Sequence, residues 1–225
     1  MVASMLAQQL HAPNLLIVFE AGGVGPRIPT IPISVGDSRT FHRGVMAASM
    51  DYVMSCAQLG HIDYGFLGAA QIDHYGNLNT TVIGTHESPR VRLPGSGGAN
   101  DVGSLCHRTI ILMRHDRRRF VEKLDFLTTP GYLTGPSARE ASGLPADSGP
   151  YLVISQLGVM GFDEETKRMK LVSVHPGIKV ENVVENTGFE LIIPNEVSMT
   201  ELPSETELRL LRDKIDPEGI VIGKN

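Results

Sequence analysis

The spacing of apolar residues along the chain predicts alternating helices and strands. Apolar side chains at helical intervals predict helices at residues 3–11, 40–59, 180–186 and 204–215. Short apolar or alternating runs predict strands at residues 15–19, 62–73, 80–83, 108–113, 151–155, 159–162 and 170–175. This order is typical of an α/β protein with an open, mostly parallel sheet flanked by helices and a mixed C-terminal portion. We therefore expect one domain over residues 1–225.

The first predicted strand runs directly into a carboxylate. In LLIVFEAGGVG, five apolar residues precede Glu20, and Ala21, Gly22 and Gly23 follow it. A continuous apolar run predicts a strand covered on both faces, as in a parallel sheet. The carboxyl ends of such strands line the binding crevice, where partial desolvation strengthens a carboxylate as a nucleophile or base. The glycines would leave room for a substrate. Alternatively, Glu20 opens a surface loop or caps a helix.

A second candidate site is the glycine loop, residues 95–100, with the sequence GSGGAN. Consecutive glycines allow backbone N–H groups to converge on an anion or on a developing oxyanion. The loop lacks the Lys-Ser/Thr pair of a nucleotide-binding P-loop, and it is not a GxGxxG motif. The alternative is a flexible turn between strands.

Three further features have competing interpretations. Gln71 closes the strand of GAAQID, where it could donate a hydrogen bond to a substrate carbonyl or belong to an ordinary strand end. His115 follows the strand RTIILM and is either an acid or base or, as we expect, a solvated histidine. The basic run at residues 114–119, RHDRRR, is either a solvated helix face or a partner for the phosphates of a nucleotide-containing ligand.

Composition removes several classes of function. The net charge of −5 argues against nucleic acid or an anionic membrane as the main partner. The two cysteines, Cys56 and Cys106, lie in no ligand cluster, so we expect reduced thiols in a cytoplasmic protein and no metal site. The chain has no apolar run of about 20 residues and no signal-peptide pattern. The absence of GxSxG and HExxH motifs excludes the corresponding hydrolase and zinc-protease interpretations.

Taken in order, these motifs resemble the β subunit of the family I coenzyme A transferases, and most closely the glutaconate CoA-transferase branch. The resemblance covers most of the chain, from about residue 12 to residue 217. The matching segments are FEAGG, PISVGDSR, GAAQIDHYGNLNTTVIG, RLPGSGGAND, IILMRHDRRRF, TPGYLTGP and ENTGFEL.

The resemblance implies a covalent mechanism with coenzyme A as a substrate and no permanently bound cofactor. Glu20 occupies the position of the family's nucleophile, which forms an acyl-glutamyl anhydride and then a glutamyl-CoA thioester. The resemblance also places Gly97, Gly98 and Ala99 at the active site, where their backbone N–H groups would donate to the tetrahedral oxyanion. We expect Gln71 and Asn100 to bind substrate.

The resemblance further implies a partner. An α subunit would complete the acyl pocket in a heterodimer or heterotetramer, and the acceptor would be a carboxylic acid, with a dicarboxylic acid indicated by the nearest branch alone. Family β subunits usually carry a further N-terminal strand, and this chain begins near the helix that follows it. Two alternatives stay open: an acyl-CoA hydrolase or decarboxylase of the same fold, and a non-catalytic subunit that binds acyl-CoA.

Overall fold

Helices and short strands alternate through residues 1–223, the part of the chain that the computed structural model describes. The helices are α1 (Val2–Leu10), α2 (Met50–Gln58), α3 (Ala99–Leu105), α4 (Ala138–Ala141), α5 (Val180–Glu185) and α6 (Glu205–Leu210). A 3₁₀ turn at Ser38–Phe41 and a π-helical turn at Leu211–Ile215 supplement them. The strands are β1 (Gly23–Val24), β2 (Met46–Ala47), β3 (Tyr64–Leu67), β4 (Gln71–Ile72), β5 (Leu78–Asn79), β6 (Val82–Gly84), β7 (Pro89–Arg92), β8 (Arg108–Leu112), β9 (Gly149–Ile154), β10 (Gly158–Phe162), β11 (Met169–Val174) and β12 (Ser198–Met199).

The chain divides into two compact units. Among the described residues, the first contains Met1–Ser55 and residues 202–223, and the second contains Cys56–Glu201. In the first unit, α1 packs against the π-helical turn. Helix α6 begins at the predicted capping box, in which Ser204 and Glu207 each satisfy the backbone N–H of the other.

The predicted strand at residues 15–19 is wrong. Only Val18 forms a bridge, and its partner is Val24 on the returning arm of a hairpin. Leu15 and Leu16 are 37% and 55% exposed, so this segment is not covered on both faces. The apolar run ends in a tight turn that pairs the chain with its own continuation, and no parallel neighbour is involved.

The predicted helix at residues 40–59 forms only in its second half. Its first half contains β2, which pairs antiparallel with β1, and α2 begins afterwards at Met50. The predicted stop is confirmed: the N–H groups of Gly60 and His61 donate to the carbonyls of Ala57 and Cys56 in a Schellman motif. Pairing with the hairpin therefore overrides the helical spacing of the first half.

The second unit contains a six-stranded sheet of order β12-β11-β10-β9-β8-β3. The pairs β3–β8, β8–β9 and β11–β12 are parallel, whereas β9–β10 and β10–β11 are antiparallel. Helix α3 packs on β3, β8 and β9. The predicted mostly parallel sheet with a mixed C-terminal portion is therefore confirmed.

A single apolar cluster forms the core of this second unit. Sheet residues such as Ile111, Val153 and Leu171 pack with Phe120 and with Val183 of α5, and all five are at most 1% exposed. Burial of side chains of this size stabilises the fold by roughly 1.5–3 kcal/mol each. The glycine loop and the Gln71 network described below belong to the same unit as this core.

Candidate active site

Glu20 lies in a four-residue β-turn at the tip of the hairpin. The N–H of Gly22 donates to the carbonyl of Phe19 at 2.9 Å, which makes Glu20 the second residue of the turn. Two hydrogen bonds join the arms below the turn, from Phe19 N–H to Gly23 at 2.8 Å and from Gly25 N–H to Ile17 at 2.8 Å. The Glu20 side chain is half-buried. Local pairing thus fixes the backbone that carries this carboxylate.

Gly22, the last residue of the turn, and Gly23, which follows it, are required by close packing of the backbone. Gly22 has φ +112, and a Cβ there would lie 1.9 Å from the carbonyl oxygen of Ala48. A Cβ on Gly23 would lie 2.0 Å from the carbonyl oxygen of Thr40. On the side where a Cβ would project, the chain's own backbone therefore fills the space, and glycine is required at both positions to shape the turn.

The glycine loop is a closed structure with its own hydrogen bonds. Gly95 and Gly97 have φ values of +95 and +50, which explains the choice of glycine at both positions. The N–H of Ala99 donates to the carbonyl of Ser96 at 2.9 Å, and the N–H of Asn100 donates to Ser96 Oγ at 3.2 Å. Ala99 therefore uses its N–H inside the loop. Gly97 is exposed, and Gly98 is buried as the residue that precedes α3.

Gln71 is buried and forms a polar network with Asn79 and Asp125. Its Oε1 accepts from Asn79 Nδ2 at 2.7 Å and from the backbone N–H of Asp125 at 3.1 Å. Its Nε2 donates to Asp125 Oδ2 at 3.1 Å, and that oxygen also accepts the N–H of Gly84 at 3.0 Å. Both acceptor positions of the amide oxygen are occupied. Gln71 could therefore contact a substrate only by donating the remaining hydrogen on Nε2.

His115 is buried, which contradicts the expectation of a solvated ring. It is 2% exposed and stacks on Phe120 with ring centroids 3.6 Å apart. Its Nε2 lies 3.0 Å from Thr187 Oγ1, whose own hydroxyl donates to the carbonyl of Val183 at 2.7 Å. Because that hydroxyl is already engaged as a donor, Nε2 carries the ring proton, and Nδ1 lies 3.2 Å from Ser155 Oγ, which also lies 3.3 Å from the carbonyl oxygen of Gly158. Burial lowers the pKa of His115 to about 4, although nearby Asp116 acts in the opposite direction.

The basic run at residues 114–119 forms a turn, not a helix face. Asp116 organises it: Oδ1 accepts the N–H of Arg118 at 3.0 Å, and Oδ2 pairs with Arg119 Nε at 3.2 Å.

Burial raises the pKa of the Cys106 thiol to about 11, so this cysteine is a packed, protonated residue. Cys106 is therefore not a candidate nucleophile.

Sequence reasoning missed the threonines that anchor the glycine loop. Thr80 and Thr128 bond to its two ends, and Asp125 closes the network around Gln71. For Thr80, the signal in the sequence is the polar tract NLNTT, which leads into the strand predicted at residues 80–83. Within residues 1–223, no group of three or more His, Cys, Asp or Glu side chains is arranged to hold a metal ion. The same part of the chain contains no helix long and apolar enough to cross a membrane.

Comparison with known proteins identifies the family. Residues 1–186 match the model of the family described as coenzyme A transferase. The chain is 39% identical to the β subunit of glutaconate CoA-transferase from Acidaminococcus fermentans, over 96% of this chain and 83% of that protein. It is 37% identical to the β subunit of 3-oxoadipate CoA-transferase from Pseudomonas knackmussii, over 93% of this chain and 81% of that protein.

A solved structure agrees with the sequence comparison. The crystal structure of glutaconate coenzyme A-transferase from Acidaminococcus fermentans superposes with a TM-score of 0.94 at 37% identity. The match covers 100% of this chain and 87% of the other. The resemblance stated from the motifs is therefore confirmed, and the chain belongs to the coenzyme A transferase family.

Proposed function

We propose that this chain is the β subunit of a CoA-transferase that moves coenzyme A between an acyl-CoA and a carboxylic acid, with Glu20 as its covalent nucleophile. The observation that carries the proposal is a carboxylate held at the tip of a backbone-bonded turn, in a chain 39% identical to a CoA-transferase subunit over 96% of its length. The acceptor is a carboxylic acid, and a dicarboxylic acid is the first class to test.

The proposed reaction alternates between two covalent intermediates. A carboxylate oxygen of Glu20 attacks the thioester carbonyl, the C–S bond breaks, and CoA leaves as a thiolate from the acyl-glutamyl anhydride. The thiolate then attacks the glutamyl carbonyl of that anhydride, which releases the first acid as a carboxylate and forms glutamyl-CoA. The acceptor carboxylate repeats these two steps in reverse order and restores free Glu20.

The turn supports this role because a carboxylate is a weak nucleophile when fully hydrated. The half-buried position of Glu20 removes part of its hydration, and the hydrogen bonds of the hairpin fix its Cα before substrate arrives. Pre-organisation of this kind removes much of the entropic cost of bringing two reactants together. The backbone of the turn thus orients Glu20, and the Glu20 side chain carries out the reaction.

Backbone N–H groups of the glycine loop are the proposed oxyanion donors. The positive φ of Gly97 turns the loop sharply, and Gly98 follows it immediately before α3. Donors of this type typically contribute on the order of 100- to 1000-fold in rate. Because Ala99 already donates to Ser96, its N–H would serve the oxyanion only as a shared donor. Gln71 and Asn100 remain predictions as substrate-binding groups.

We also propose a partner subunit and a cellular compartment for this chain. An α subunit completes the enzyme as a heterodimer or heterotetramer, and the assembly works in the cytoplasm without a permanently bound cofactor. Residues 1–225 are proposed to act as one family domain within it. The proposed small-molecule substrates are an acyl-CoA and an acceptor carboxylic acid.

Replacement of Glu20 in the complex with the α partner tests the proposal. Glu20→Ala is expected to abolish transfer of CoA to an acceptor acid and to leave binding of the CoA ester largely intact. Asp213→Asn, which changes an exposed carboxylate of the same unit, is the matched control and should retain full transfer. Full transfer of CoA by the Glu20→Ala complex would refute the role of Glu20 as the nucleophile. Accumulation of free CoA without an acceptor would indicate a hydrolase, and release of carbon dioxide would indicate a decarboxylase.

A further inference from the structure

We propose that Thr80 and Thr128 are positioning residues that hold the glycine loop in the geometry required for oxyanion stabilisation. The inference rests on the proposed function, because it assigns the loop's purpose from it. The contacts themselves lie entirely within the second unit and involve both ends of the loop.

Thr80 fastens the first residue of the loop through two hydrogen bonds. The N–H of Gly95 donates to the carbonyl of Thr80 at 2.9 Å, and Thr80 Oγ1 donates back to the carbonyl of Gly95 at 2.8 Å. The reciprocal pair fixes both peptide groups that flank Gly95. This residue has φ +95 and open space around the position of a Cβ, so its conformation is set by these bonds and not by crowding.

Thr128 fastens the last residue of the loop and also orients Thr80. It is 6% exposed, and its carbonyl accepts from Asn100 Nδ2 at 3.0 Å. Its Oγ1 accepts the backbone N–H of Thr80 at 3.0 Å and lies 2.7 Å from Thr81 Oγ1. One threonine therefore connects to both ends of the loop, directly through Asn100 and indirectly through Thr80.

The span between these anchors is short and internally bonded. Ser96 accepts the N–H groups of Ala99 and Asn100 through its carbonyl and its hydroxyl. With both ends held and two hydrogen bonds inside the loop, the peptide groups of Gly97 and Gly98 have little freedom to shift. A misplacement of about 1 Å can reduce a catalysed rate by about 100-fold, so a modest loosening of the anchors is expected to affect turnover.

The decisive variant is Thr128→Val, which removes one hydroxyl at nearly constant side-chain size and so deletes the acceptor of the Thr80 N–H. Thr128→Ser keeps that hydroxyl. Thr129→Val is the matched control, because Thr129 is 1% exposed and its Oγ1 has no hydrogen-bond partner among the described residues. Each full-length chain is assayed in complex with the α partner, and amide hydrogen exchange is measured in peptides covering residues 93–100.

Thr128→Val is expected to lower kcat by up to about 100-fold with KM for the acyl-CoA unchanged, since donors aligned with the transition state affect kcat and kcat/KM equally. Exchange in the loop should accelerate in the same variant. Thr128→Ser should restore most of the rate, and Thr129→Val should match the unaltered complex. If Thr128→Val does not fold, Thr80→Val, which removes only the side-chain half of the Gly95 pair, is judged by the same criteria.

The outcomes separate this proposal from the function on which it rests. Equal kcat values for Thr128→Val and Thr129→Val in a complex that transfers CoA would overturn the positioning role alone. A faster-exchanging loop with an unchanged kcat would also overturn it, because the loop would then be held for stability only. Absence of CoA transfer in the unaltered complex, across a panel of CoA esters and acids, would instead refute the proposed function.

Discussion

The backbone N–H of Gly22 donates to the carbonyl oxygen of Phe19 at 2.9 Å, and this hydrogen bond fixes the turn of backbone that carries Glu20. The bond closes a β-turn, and the turn ends an apolar segment that would otherwise continue. Glu20 is therefore presented by a hairpin tip and not by the end of a parallel strand. Glu20 is thus the candidate residue both in the sequence and in the structure, but the local structure that holds it differs from the predicted strand end.

Gly22→Ala should disrupt this turn. The added Cβ would lie 1.9 Å from the Ala48 carbonyl oxygen, and φ +112 is unfavourable for any other residue. Backbone strain alone is expected to cost about 1–3 kcal/mol, before the clash is added. Urea denaturation measures the loss, and Gly36→Ala is the control because no atom lies within 4 Å of a Cβ there. Equal stability of the two variants would contradict this account of the turn.

Stability should decrease as the pH falls from about 6.5 to about 4. The unfolded chain binds a proton at His115 below its ordinary pKa of 6.5, whereas burial lowers the native pKa to about 4. Between these values the unfolded state holds more protons, so protonation favours unfolding, by up to about 1.4 kcal/mol per pH unit. His115→Gln should flatten this part of the pH–stability curve. An unchanged slope in the variant would indicate that His115 is not the titrating group.

Arg139→Lys should destabilise the second unit far more than an arginine replacement on the surface. Arg139 is 4% exposed, and its two terminal nitrogens donate to the carbonyls of Pro130, Gly131, Gly103 and Ser104 and to Ser148 Oγ. A lysine ammonium cannot reach all of these acceptors, and each one left unpaired costs about 1–3 kcal/mol. Arg118→Lys, at a side chain that is 94% exposed, should stay within about 0.5 kcal/mol of the unaltered chain. Similar unfolding midpoints for both variants would refute the assigned role of Arg139.

Local signals in the sequence predicted several elements correctly. Gly60 ends α2 because it adopts φ +78, which few other residues tolerate, and the pair Ser204 and Glu207 starts α6 through a capping box. The apolar run RTIILM forms β8, whose partners on both sides are parallel strands. In each case the determining interactions lie within a few residues or follow from a continuous apolar run.

Features set by distant partners could not be predicted. His115 is buried because Ser155 and Thr187 supply hydrogen bonds from positions 40 and 72 residues away. The anchors of the glycine loop are likewise distant, since Thr128 lies 48 residues from Thr80. The prediction for residues 15–19 is wrong for another reason: their pairing partner is local, the chain immediately beyond Glu20, and an apolar run does not distinguish such a hairpin from a buried strand. Neither spacing nor composition reports such pairings.

Chemical trapping at Glu20 tests the central claim most directly. The complex with the α partner is incubated with an acyl-CoA and then with borohydride, which reduces a glutamyl-CoA thioester to the corresponding alcohol. We expect activity to be lost and peptide mass spectrometry to find the reduced side chain at Glu20, only when the acyl-CoA is present. Full activity after this treatment, with Glu20 unmodified in an enzyme that turns over, would contradict the covalent mechanism.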